Sequence, residues 1–168
     1  MPHTQKQEES CAAAVAKIRN GELVMELGET VHGLFVRLEP GEPIIESLKD
    51  VARRKHVRVG AITSGVGMLS SVKFGFFCAR KDDYDVHQLD EILDLSSILG
   101  NITWSGAEPI PHVHMTMNNS RNETFSGHII EAWCHITMEI FIFKFNDLNL
   151  HRVKVPGMPA TRITSGQQ

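Results

Sequence analysis

Residues 111–118 read PHVHMTMN, and apolar and polar side chains alternate along them without a break. Val113, Met115 and Met117 fall on one side; His112, His114, Thr116 and Asn118 fall on the other. A period of two is the signature of a strand with one face buried. Other stretches predict further strands: residues 31–38, rich in β-formers and closed by Pro40-Gly41, then 57–69, 71–77, 84–89, 96–104, 127–134 and 138–146. The stretch at 57–69 is read as a buried strand running into a glycine-containing turn at SGVG. Gly100 inside 96–104 marks a bulge or a close backbone approach. Residues 118–127, NNSRNETFSG, read as a turn-rich connection. The period changes only at 43–55, where Ile44, Leu48, Val51 and Ala52 recur at helical spacing behind Pro43. One helix among seven or eight strands predicts an α+β domain with a mostly antiparallel or mixed β-sheet.

The pattern weakens at both ends. Residues 1–28 are expected to be an N-terminal extension, with a short alanine-rich helix in EESCAAAVAKIR. Residues 29–155 form the domain and 156–168 a C-terminal tail. With 168 residues, 42% apolar and 22% charged, the chain suits one globular domain with a real core. Its longest apolar stretch, near HITMEIFIFKF, is too short for a membrane-spanning helix and is interrupted by Glu139. The N-terminus lacks a basic region followed by an apolar one, and the three cysteines are odd in number and irregularly spaced. The expectation is an intracellular protein, cytoplasmic or nuclear, with free thiols.

Net charge is −3, and the one basic cluster, RRKHVR at 53–58, lies where a helix C-terminus is expected. A solvated, dipole-matched helix end accounts for it better than a phosphate-binding patch. GVG at 65–67 lacks a full dinucleotide fingerprint, and neither Ser64 nor Ser126 lies in a nucleophile motif.

Candidate chemistry rests on histidine. His112 and His114 project from one face of one strand, about two rises apart. If 127–134 returns antiparallel, the hairpin carries His128 back to them. Three imidazoles with an open fourth position match a ligand-accessible zinc site, other divalent transition metals being less favoured. The alternative is that these are surface and packing histidines that fall in this order by chance. His3, His32, His56, His87, His135 and His151 show no such convergence. Glu139 alternates with Thr137, Phe141, Phe143 and Phe145 on a strand that reads as buried, so its carboxylate needs a partner. Arg37 or Arg152 would be a structural partner; a metal or its ligands would be a functional one.

The ordered set FVRLEPGEPIIESLKDVARRKHVRVGAITSGVGMLSSVKFGFF, LSSILGNITW, PHVHMTM and SGHIIEAWCHITMEIFIF resembles the PPC family, the plants and prokaryotes conserved domain, over residues 31–153. That resemblance implies an α+β homotrimer. In plant members, AT-hook motifs joined to the domain bind DNA. This chain has no R-G-R-P core, so DNA binding is the least supported reading. The fold is also similar to that of acetolactate decarboxylase, a zinc enzyme with a His-x-His pair and a later histidine, and His112, His114 and His128 match that order. The similarity implies a metal at these residues beside a cleft for a small anionic ligand. If the protein is an enzyme, it is a metal-dependent lyase or hydrolase with Glu139 as a proton carrier. The competing reading is a non-catalytic oligomerisation or interaction module.

Overall fold

The computed structural model describes residues 25–145 and 147–153, and the backbone of 162–165. The expected N-terminal helix lies outside these residues. Among them are nine strands and one helix: β1 (Glu26–Glu29), β2 (Gly33–Leu38), α1 (Ile44–Arg54), β3 (Gly60–Cys78), β4 (Asp83–Leu89), β5 (Leu93–Ser105), β6 (Glu108–Asn118), β7 (Thr124–Lys144), β8 (Leu150–Val153) and β9 (Arg162–Ser165). All strand pairs are antiparallel except a single parallel contact of β5 with β8 at Trp104 and His151. β1 pairs with β2 and Met25 is buried, so the sheet takes in residues expected to lie in the N-terminal extension.

Two strands expected as separate pairs are continuous. β3 runs 19 residues through the SGVG segment, and β7 runs 21 residues through both of its expected halves. The glycines read as a turn are instead a place where two strands crowd together. A Cβ on Gly65 or Gly67 would collide with the carbonyl of Glu139 or Thr137 on β7. Register shifts at Ile62/Ser64, Gly67/Leu69, Leu69/Ser71 and Lys73/Phe74 bend the pair at these points. The bends let the sheet close on itself: β3 pairs with β5, β5 with β6, β6 with the first part of β7, and β7 with β3 again.

Alternation decides what lies inside the ring. Val113, Met115 and Met117 are at most 2% exposed and join Leu69, Ile98, Ile102, Met138 and Ile140 in one core. Each such side chain contributes about 1.5–3 kcal/mol when withdrawn from water, so a one-residue slip of β6 is strongly disfavoured. The helix follows the same logic at its own period. Ile44, Ser47, Leu48, Val51 and Ala52 are buried, Glu46 stands in the first turn, and Arg53 and Arg54 stand in the last. That buried stripe packs against β6 and β7.

Candidate functional site

Since Val113 and Met115 point into the core, His112 and His114 must point out of it. β6 and β7 form the hairpin whose register places His114 directly opposite His128. On its other side β6 pairs with β5, with His112 opposite Asn101 and His114 opposite Leu99. A close approach at Gly100 holds this part of the ladder, because any Cβ there would overlap the His112 carbonyl oxygen. The expected close approach at Gly100 is therefore present, and it supports the first histidine.

The outcome is a triad. One ring nitrogen each from His112, His114 and His128 lies within 4.8 Å of the others. Ring centroids are 5.3 Å apart for His112–His114, 5.0 Å for His112–His128 and 5.5 Å for His114–His128. Tyr84 of β4 stacks on His128 at 4.9 Å, with 22° between the planes. Gly75 makes room for that ring, since a Cβ there would lie 2.9 Å from the Tyr84 ring.

Electrostatics keep two of the imidazoles neutral. Burial pushes the His128 pKa down to about 4, helped by His112, His114 and Arg152. Burial, with Arg152 and His114, also lowers that of His112. His128 Nδ1 is buried and has no hydrogen-bond partner. An orphaned buried nitrogen costs about 1–3 kcal/mol, which a cation ligated at that nitrogen would offset. Three ring nitrogens converging on one point, on rings two of which burial keeps neutral, fit a first-row divalent metal.

Arg152 of β8 comes to this region by a route the residue pattern does not show. Its Nε donates to Thr103 Oγ1 at 2.7 Å and one terminal nitrogen donates to Asn101 Oδ1 at 3.0 Å. Its guanidinium is thus fixed on the residue paired with His112, rather than on Glu139. Asn101 and Tyr84 are site residues that sequence reasoning did not single out, and Arg152 enters it only as a partner for Glu139. Only the strand order assembles them.

Glu139 is placed elsewhere. It is in register with Arg37 and Val66, and Arg37 pairs with Glu26 and Glu39. From Glu139, the sheet crosses β3 and β5 before reaching β6, a path of roughly 14 Å at strand spacing. Its surroundings are a shallow cavity of about 230 Å3 with Ser64, Val66, Ser97, Leu99 and Phe141. Nor is its face buried: Phe141 is 50% exposed and Phe143 42%. Beside the triad lies a different cavity, of about 520 Å3, lined by His128, Tyr84, Lys49, Lys73, Asp83 and Ile110 among others.

Comparison with known proteins places this architecture. The sequence model of the Plants and Prokaryotes Conserved (PCC) domain matches residues 25–146. The chain belongs to this family. Solved structures share its fold. A plant- and prokaryote-conserved protein from Pyrococcus horikoshii superposes with a TM-score of 0.72 at 25% identity, covering 86% of this chain and 97% of that one. A metal-containing protein from Archaeoglobus fulgidus gives 0.73 at 21% identity, covering 86% and 99%. A candidate DNA-binding protein from Bacteroides thetaiotaomicron gives 0.77 at 20% identity, covering 83% and 96%. A 94-residue segment, 56% of this chain, is 29% identical to the bifunctional protein GlmU of Synechococcus sp., of which it covers 14%. The chain therefore spans a small part of the curated relative it matches. No helix among the described residues is long and apolar enough to cross a membrane.

Proposed function

We propose that this PCC protein holds a divalent transition metal, zinc for preference, at His112, His114 and His128, beside a groove that takes a small anionic ligand. The observation that carries the reading is the convergence of three ring nitrogens within 4.8 Å. The unsatisfied His128 Nδ1 and the neutrality imposed on His112 and His128 support it. The metal-containing relative from Archaeoglobus fulgidus agrees with it. Zinc suits three imidazoles with an open position, and the ion when bound would supply Lewis-acid polarisation of a ligand oxygen. Tyr84 orients His128 by stacking, Asn101 and Thr103 hold Arg152, and Lys49 and Lys73, paired with Glu46 at 2.6 Å and Glu131 at 3.7 Å, line the groove. Glu139 is left out of this reading, because β3 and β5 stand between it and β6.

A second reading concerns assembly. Val66, Leu99, Phe141 and Phe143 are 42–55% exposed, and shared cavities join them into one surface that also includes Phe35. A patch of this kind favours self-association, in keeping with the homotrimer that the family resemblance implies. For nucleic acid the case is poorer. Arg53, Arg54 and Lys55 are already paired with Glu108, Asp50 and Glu29 at 2.6, 2.8 and 3.0 Å.

Metal content per chain tests the first reading, on untagged protein purified without added metal and again after zinc is supplied and excess removed. About one ion per chain is expected for the wild type. Loss of most of it is expected in His114→Ala, with the fold retained because His114 is exposed. A wild type that retains no metal even after zinc is supplied would defeat the proposal.

A further inference from the structure

The basic run at 53–58 divides in two when folded. Arg53, Arg54 and Lys55 point to carboxylates, whereas Arg58 has no hydrogen-bond or ion-pair partner among the described residues. Arg58 instead lines a cavity of about 250 Å3 beyond the C-terminal end of α1, together with His56, Trp104, Asn149, Leu150 and His151. The chain turns there, for His56 has a φ of 50° immediately after the last helical turn. Trp104 donates its indole N–H to the Val57 carbonyl at 2.8 Å, which fixes the ring plane against the same turn. The parallel contact of β5 with β8 then sets His151 beside Trp104. Two histidines that show no convergence in sequence thus meet at one cavity, and no carboxylate among the described residues lines it.

We infer that this cavity is a second binding site, separate from the histidine triad, for a small anion that carries one flat ring. Each wall contributes one part of that specificity. A guanidinium offers paired donors that match phosphate or carboxylate oxygens, and the flanking imidazoles and the Asn149 amide add further donors. The fixed indole offers a flat apolar surface for a ring. Volume sets the size limit. A cavity of about 150 Å3 accepts benzene, so about 250 Å3 accommodates one ring with one anionic group and excludes a dinucleotide. Phosphate and carboxylate share the recognition chemistry, and two probes separate them.

The experiment is a titration of the full chain with phenyl phosphate, benzoate and phenol, followed by the indole N–H signals in a 1H–15N NMR spectrum. The chain has two tryptophans, so a Trp133→Phe variant assigns the Trp104 signal. At least one of the two anions is expected to shift it saturably with a Kd of about 1 mM or tighter. Whichever anion binds more tightly identifies the head group. Arg58→Ala is expected to weaken binding about tenfold or more, since it removes a charge-assisted contact. Arg58 is exposed, so that variant keeps the fold. His114→Ala is expected to bind as the wild type does, whatever the fate of its metal. The inference is overturned if neither anion shifts Trp104, if phenol binds as well as the anions, if Arg58→Ala binds undiminished, or if His114→Ala abolishes the effect.

Discussion

His128 is held between two other imidazoles and the ring of Tyr84, with one nitrogen buried and unpartnered. Its protonation is consequently linked to folding. The ordinary imidazole value is 6.5 and the folded value about 4, so the unfolded chain binds more protons between these limits. The stabilising contribution is complete above about 6.5 and is lost as the pH falls toward about 4. Because the ring is only half-buried, solvent screening reduces this to on the order of 1–2 kcal/mol. In chelator-treated protein, the urea midpoint is expected to rise between pH 4 and 7, with a smaller rise in His128→Asn. Equal slopes in the two proteins would remove His128 as the cause. At this scale the sequence was informative in an uneven way. His112 and His114 announce themselves by spacing alone, whereas Tyr84, Asn101 and Arg152 carry no local mark, since each acts through a neighbour on another strand.

At the scale of elements, the site depends on one hairpin. β6 ends at Asn118 and β7 begins at Thr124, and the connection between them sets His114 against His128. Asn119, 5% exposed, organises that connection. Its Oδ1 accepts from the backbone N–H of Arg121 and of Glu123, each at 3.0 Å, and its amide donates to Glu123 Oε2 at 2.6 Å. Asn119→Ala leaves two backbone donors without this acceptor and is expected to destabilise the fold by about 1–3 kcal/mol. Zinc affinity measured by competition with a chromogenic chelator should weaken in the same variant, because the register behind the triad loosens. Unchanged affinity would show that the core side chains of β6 alone hold the register. The connection was legible as turn-rich, but its first ladder pair was not. The continuity of β3 and β7 was missed for a related reason: a glycine that breaks a strand and a glycine that admits a neighbouring strand look alike in one dimension.

For the molecule as a whole, one feature is an exposed apolar face around Phe141. Phe35 packs on it at 5.1 Å and Phe143 on Phe145 at 5.0 Å, yet Phe141 and Phe143 remain 50% and 42% exposed. If self-association covers this face, Phe141→Glu places a charge in the contact, and the sedimentation coefficient is expected to fall to that of a monomer. A monomeric wild type, or a variant with unchanged mass, would count against the face as the contact surface. Leu99 belongs to the same surface and pairs with His114, so an assembly there would lie close to the triad.

Taken alone, the sequence determined the class of fold, the helix at Ile44–Arg54, the buried face of β6 and the three histidines as candidate ligands. These are properties of period and of ordered motifs, which local sterics and burial impose on each segment separately. Tertiary structure alone decided which strands share an edge. It brought Arg152 to Asn101, Tyr84 to His128 and His151 to Trp104, and it took Glu139 away from the metal ligands. Those outcomes follow from the closure of a bent sheet. Such closure depends on hydrogen-bonded pairing between residues up to about a hundred positions apart, and no single segment encodes it.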